Sequence, residues 1–282
     1  MKTAYFKYIF ALLLFGSNGI VASLIDLSSY EIVLLRTLIG SVLLIAIFFL
    51  TREKLTFYKH KKQFASLAVS GMAMGASWVF LYEAYSQIGV SLSSLAYYCG
   101  PVVVMILSPL LFKEKLTKAK IISFLVVLTG IFLINGVAFN NGKNMVGILC
   151  GLMSALCYAF MVIFNKKAKN ITGLENSMLQ LFTGFLTVAI FVLIKQGYNI
   201  HIPQSSIVPM FVLGIINTGI GCYFYFSSIG KLPVQTVAIC GYSEPLSAVI
   251  FSVIFLKEIM FPMQIIGAIL IIGGAIYGKL KS

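Results

Sequence analysis

Glu244 is followed at once by Pro245, and Pro101 holds a comparable place earlier in the chain. All three interrupt stretches that are otherwise apolar. A carboxylate inside a membrane costs about 2.5–3.5 kcal/mol or more, so it has to face protein or a water-filled cavity. Glu244 lies ten residues into its stretch, ~15 Å along a helix and near the middle of a bilayer. A group so placed can load and unload a proton or hold a cation. The structural alternative is a carboxyl that hydrogen-bonds between helices. Each proline lacks an N–H, which frees the carbonyls of Tyr97 and Gly241. Cavity water or neighbouring groups satisfy such carbonyls, so Pro101 and Pro245 read as paired hinges, with kinks that only aid packing as the alternative.

Arg36 is a second ionisable group inside an apolar stretch, and Glu83 lies at the end of the next one. The two are candidates for a gate; the alternative is a structural pair, or separate groups that snorkel to water. At mid-depth stand Asn18, Trp78, Tyr82, Tyr98, Tyr158, Asn217, Tyr223 and Tyr242. With Glu244 they are the candidate substrate-binding residues, since aromatic faces beside a carboxylate suit an organic cation. Against that, tyrosine and tryptophan also serve interfacial belts and helix packing. His60 and His201 fall in loops, and the five cysteines form no CxxC pair. No metal site, disulfide or cofactor is expected. The absence of HExxH and GxSxG argues against an intramembrane enzyme. Without GxxxxGK[ST], ATP does not drive the chain directly.

These residues need membrane helices to position them. Of 282 residues, 60% are hydrophobic and 10% charged, with a mean hydropathy of +0.99. A soluble domain of this size cannot hide that much apolar surface. Continuously apolar stretches of the length a membrane helix needs run from Tyr8–Leu24, Glu31–Leu50, Phe64–Tyr85, Ser91–Phe112, Lys120–Asn135, Val146–Asn165, Leu174–Ile194, Ile207–Ser228, Val234–Leu256 and Pro262–Gly278. They lack the alternation of barrel strands. The expected fold is all-α, with ten transmembrane helices.

Gly75–Ile134 can be laid over Gly219–Gly278 at a constant offset of 144, with 12 of 60 positions identical. Pro101 meets Pro245, Lys113-Glu114 meets Lys257-Glu258, and Gly130 meets Gly274. Two five-helix halves in tandem, 1–140 and 141–282, must lie upside down relative to one another because five is odd. Inverted repeats with a site between them are the architecture of secondary transporters. A channel or a non-transporting scaffold would leave the repeat unexplained. Gly71/Gly75, Gly147/Gly151 and Gly274/Gly278 permit close helix approach within the bundle, and the same motif can join a homodimer.

The net charge of +13 invites a nucleic-acid reading, which its distribution argues against. With the N-terminus inside, cytoplasmic loops and termini hold 17 Lys and Arg, and outer loops hold three, Lys143, Lys195 and Lys257. That asymmetry places both termini in the cytoplasm of a multi-pass protein of the cell membrane. The N-terminal stretch is expected to be retained, since cleaving it as a signal peptide would destroy the repeat.

Leu14-Phe15-Gly16-Ser17-Asn18, Leu35-Arg36, Gly100-Pro101, Glu244-Pro245 and the two Lys-Glu pairs together resemble the drug/metabolite transporter superfamily, EamA type, over essentially the whole chain. Members commonly carry tryptophan where Phe15 stands and Gly-Glu where this chain has Lys-Glu. The resemblance implies ten helices, short loops and movement of a small metabolite, such as an amino acid or an amine, by alternating access. It names no substrate and no direction.

Overall fold

A computed structural model describes residues 2–113, 117–135, 145–197, 200–257 and 262–280. Glu114, Glu258 and the junction between the two halves lie outside these. Everything regular within them is helical: α1 (Lys2–Gly16), α2 (Asn18–Ala22), α3 (Ser29–Leu50), α4 (Lys61–Tyr97), α5 (Gly100–Phe112), α6 (Lys118–Asn135), α7 (Met145–Lys167), α8 (Gly173–Gln196), α9 (Gln204–Val212), α10 (Gly221–Ile229), α11 (Val234–Gly241), α12 (Ser243–Leu256) and α13 (Pro262–Leu280). A π-helical stretch, Leu213–Ile220, joins α9 to α10. Among the described residues seven helical spans are long and apolar enough to cross a membrane, and Gly100–Phe112 and Ile265–Gly274 are shorter apolar helices.

The exterior is apolar, with Leu110 78% and Val208 71% exposed, while Arg36, Thr37, Ser70, Ser77, Asn165, Gln180 and Thr218 are buried. Such an inside-out distribution suits lipid, where polar side chains join helices to one another. Ser77 Oγ donates to the Ser154 carbonyl (2.9 Å) and Ser154 Oγ to that of Ser77 (2.8 Å), binding α4 to α7. Glycine brings backbones together at the same interfaces. A Cβ on Gly75 would lie 2.5 Å from the Gly184 carbonyl oxygen, and one on Gly274 3.0 Å from that of Ser123.

The helical run α4 is too long for one crossing, and it doubles back. A Cβ on Gly151 would lie 2.7 Å from the Ala96 methyl and 4.0 Å from the Ala84 methyl. In a straight helix those two alanines would stand about 18 Å apart. The chain therefore reverses between them, and the last part of α4 continues, across a break at Tyr98–Cys99, into α5.

The offset read from the sequence extends helix by helix. Ser29 and Gly173 start α3 and α8, Phe112 and Leu256 end α5 and α12, and Lys118 and Pro262 start α6 and α13, each pair 144 apart. Matched helices run in opposite directions where they touch. Val33 and Leu34 cluster with Val188 and Val192, whereas Gly40 meets Leu181, so α3 and α8 are antiparallel. Gly130 abuts Gly267 while Gly274 abuts Ser123, which makes α6 and α13 antiparallel as well. The two halves are thus an inverted pair.

Lys113 and Lys257, also 144 apart, both have φ 55. A left-handed residue after a helix terminus frees glycine of a penalty that a Cβ incurs, roughly 1–2 kcal/mol. Glycine's greater freedom in the unfolded chain offsets part of that. Lys113→Gly and Lys257→Gly should therefore each stabilise the protein by up to about 1 kcal/mol, read as a rise in melting temperature in detergent. Lower stability in both would show that the lysine side chains anchor these ends.

Candidate functional site

A cavity of about 530 Å³ lies where the halves meet. It runs from Tyr158, Met161 and Phe226 at its floor, past Arg36 and Glu244, to Ile25, Leu27 and Ser29 in and beside the loop that follows α2. It therefore opens on the face opposite the N-terminus.

Breaks in three crossing elements create it. α1 stops at Gly16, and Ser17 Oγ turns back to the Leu14 carbonyl (2.8 Å). Asn217 Nδ2, from the π-helical stretch, donates to the same carbonyl and to Ser17 Oγ, each at 2.8 Å. The crossing point of the other two breaks is tied by a hydrogen bond from Tyr242 Oη to the Tyr98 carbonyl (3.1 Å). Those tyrosines occupy matched positions of the repeats, so each half contributes one side of the joint. Gly16 packs α1 directly on α12, next to Glu244.

Glu244 stands in the first turn of α12. Its carbonyl accepts from Ser247 Oγ (2.8 Å), but no hydrogen bond to its carboxylate occurs among the described residues. Arg36 approaches from α3, only 4% exposed. Its Nε donates to Thr218 Oγ1 (2.9 Å), and its guanidinium carbon lies 5.1 Å over the Trp78 ring. Thr218 Oγ1 in turn donates a hydrogen bond to the Leu213 carbonyl (2.8 Å), spanning the five residues of one π turn. π-Helical turns commonly mark functional positions, and this one aims a threonine at an arginine. Aromatic side chains complete the floor. Tyr158 and Tyr225 share a hydroxyl contact of 3.3 Å, and the Tyr97 ring meets Tyr158 edge-on at 5.5 Å.

Of the residues singled out from the sequence, Asn18, Trp78, Tyr82, Tyr98, Tyr158, Glu244 and Arg36 line this cavity. Asn217, Tyr223 and Tyr242 do not. Asn217 and Tyr242 hold the breaks as described, and the Tyr223 ring lies 5.0 Å beneath Lys7 Nζ. Pro101 and Pro245 are buried behind the wall, with the Pro101 ring 4.0 Å from where a Gly241 Cβ would be. Arg36 and Glu83 do not meet: Glu83 pairs with Lys195 (3.5 Å) and accepts from Gln87 (3.2 Å), while Arg36 turns inward. Sequence reasoning did not place Phe15, Tyr85, Tyr97, Tyr225 or Thr218 among the site residues.

It also passed over Glu175. The opposite, amino-terminal face is closed by a packed layer in which Tyr8, Leu12, Leu44, Phe48, Leu181 and Ile229 are at most 1% exposed. Over it, the buried Glu175 carboxylate accepts from Thr56 N (2.6 Å), Thr56 Oγ1 (2.6 Å) and Phe57 N (2.9 Å). This clasp joins the loop before α4, in the first half, to the start of α8, in the second. Tyr8 Oη adds a bond to the Val237 carbonyl (2.8 Å), and Lys166 Nζ one to that of Leu232.

The family model described as "EamA-like transporter family" matches residues 2–136 and 145–277. An uncharacterized transporter of Bacillus subtilis, YxxF, is 25% identical over 276 residues, covering 97% of this chain and 88% of that one. A second from the same organism, YetK, is 27% identical over 301 residues, covering 99% and 87%. One from Helicobacter pylori strain J99 is 27% identical over 236 residues, covering 79% and 76%. A solved crystal structure superposes with a TM-score of 0.84 at 18% identity, covering 100% of this chain and 99% of its own, a likeness of fold.

Proposed function

The chain belongs to the EamA-like transporter family and is a multi-pass membrane transporter, and from that premise we propose that it is a secondary carrier. It moves a small organic metabolite through the central cavity by alternating access. The observation that supports this most is a cavity lined by both halves, open at one face and closed at the other by bonds that cross between the halves. Its energy comes from a gradient, because the sequence holds no nucleotide-binding motif. The charge asymmetry of the loops supports an orientation with both termini on the cytoplasmic side of the cell membrane, and in that orientation the described conformation faces outward. A reporter after Lys62 that reads external would reverse this orientation. Pro101 and Pro245 act as the paired hinges.

Glu244 is the coupling residue in this reading. A titratable carboxyl on the cavity wall changes the cost of a closed, dry cavity when it gains or loses a proton, so proton and substrate bias one equilibrium. One proton moving down one pH unit supplies about 1.4 kcal/mol, a tenfold accumulation. Glu244→Gln keeps the shape and removes the titration. In proteoliposomes this variant should keep downhill exchange and lose the accumulation driven by a pH gradient. Accumulation at the wild-type level would remove Glu244 from the coupling role.

A further inference from the structure

The clasp at the closed face has a sequence partner at the open one. Glu175 and Glu31 are 144 residues apart, each in the first turn of its helix, α8 and α3. Each is also the last residue of a capping-box pattern, Ser28-Ser29-Tyr30-Glu31 and Thr172-Gly173-Leu174-Glu175. At the open face the box is made: Ser28 N donates to Glu31 Oε2 (2.8 Å) and Glu31 N to Ser28 Oγ (3.4 Å). At the closed face it is not. Thr172 has the extended backbone of a capping residue, φ −130 and ψ 172, yet its side chain accepts no capping bond. The Glu175 carboxylate is turned away from it to Thr56 and Phe57. One pattern, written twice, thus occurs in two states, and the state differs between the open face and the closed one.

At the same offset, Thr56 and Phe57 match Ile200 and His201. Two of the three bonds to Glu175 come from backbone N–H groups, which every residue except proline carries. Exchanging Thr-Phe for Ile-His therefore removes only the hydroxyl bond. Neither the Ile200 nor the His201 amide donates a hydrogen bond among the described residues. Both parts of the second clasp already stand near each other. Ile200 packs against the apolar cluster of Val33, Leu34, Val188 and Val192, and so does Tyr30, the neighbour of Glu31. A glutamate that served only as a helix cap would close its box at both faces.

We propose that Glu31 is the latch of the face that is now open, and that it works in opposite phase to Glu175. When that face closes, Glu31 leaves Ser28 and accepts from the Ile200 and His201 amides. Glu175 then leaves Thr56 and Phe57 and closes its box with Thr172. Each acid exchanges one set of hydrogen bonds for another, so neither state strands a carboxylate, and the two states stay close in energy as a bistable element requires. The inference rests on the alternating-access reading above and adds the residue that closes the second face. Arg36 and Glu83, the pair expected to gate it, do not meet.

Hydrogen exchange on the full-length protein in detergent tests this at Thr56, Phe57, Ile200 and His201. Glu175→Ala should slow Ile200 and His201 by about ten-fold while it speeds Thr56 and Phe57. Adding Glu31→Ala should return Ile200 and His201 to the wild-type rate. Adding Ser28→Ala instead, which opens the capping box but leaves the carboxylate, should keep them slow. Should Glu175→Ala fail to fold, Glu175→Gln weakens the same three bonds and takes its place. The proposal is overturned if Ile200 and His201 keep the wild-type rate once Glu175 is replaced, or if they slow equally with and without Glu31. It is overturned too if Ser28→Ala acts as Glu31→Ala does. Counterflow by the wild-type protein tells this failure from that of the carrier reading. An overshoot beside any of these results removes the latch alone, whereas a missing overshoot removes the carrier reading with it.

Discussion

Valine at position 16 should abolish transport and cost about 3 kcal/mol of stability or more. A Cβ on Gly16 would lie 1.9 Å from Ser247 Oγ and 2.9 Å from the Glu244 carbonyl oxygen. The serine can rotate, but the carbonyl is backbone, so α1 and α12 have to separate. That displacement moves Glu244 and opens the break at Ser17 together, which is why the effect on transport exceeds the effect on folding. Gly230 is the control, since nothing lies within 4 Å of a Cβ there; Gly230→Ala should be neutral in both assays. Melting curves and proteoliposome uptake measure the two effects. A Gly16→Val protein with wild-type uptake would mean that α1 and α12 are not packed as described.

Removing the Glu175 clasp should release the closed face. Glu175→Ala leaves two backbone N–H groups and one hydroxyl, at Thr56 and Phe57, without their acceptor. Hydrogen bonds to a charged group each contribute about 1.5–3 kcal/mol, and three that share one carboxylate add less than their sum. A loss of about 2–4 kcal/mol from this conformation is expected. Hydrogen exchange at Thr56 and Phe57 should rise, and the equilibrium should shift toward a state open at the amino-terminal face. Unchanged exchange at these two amides in Glu175→Ala would show that the layer of Tyr8, Leu44 and Phe48 closes the face unaided.

The repeat was legible because it is written in residues with no substitute: a proline, a glycine and a Lys-Glu pair recurring at one offset. The structure carries that offset through helices whose sequences have otherwise diverged, such as α3 and α8. The direction in which side chains point was not legible. A helix apolar on all sides has no polar face to indicate rotation, so Tyr223 and Tyr225 read alike, although only Tyr225 reaches the cavity. Asn217 and Thr218 are neighbours, and the π turn that assigns one to α1 and the other to Arg36 leaves no mark in composition. Tyr97 and Tyr98 both face inward because the helix breaks beside them. Glu175 sits at the end of a span, where an acid reads as a solvated loop residue; only the fold of the loop before α4 reveals what it holds.

Counterflow tests alternating access most directly. Proteoliposomes are loaded with a high concentration of an unlabelled compound that binds the purified protein, and diluted into a trace of the same compound labelled. A carrier that returns only after binding substrate drives the label inward against its gradient, so the account predicts a transient overshoot above equilibrium. Pro101→Ala with Pro245→Ala should delay the overshoot if the hinges set the rate. Label that rises to equilibrium with no overshoot, as through an open pore, would contradict the account.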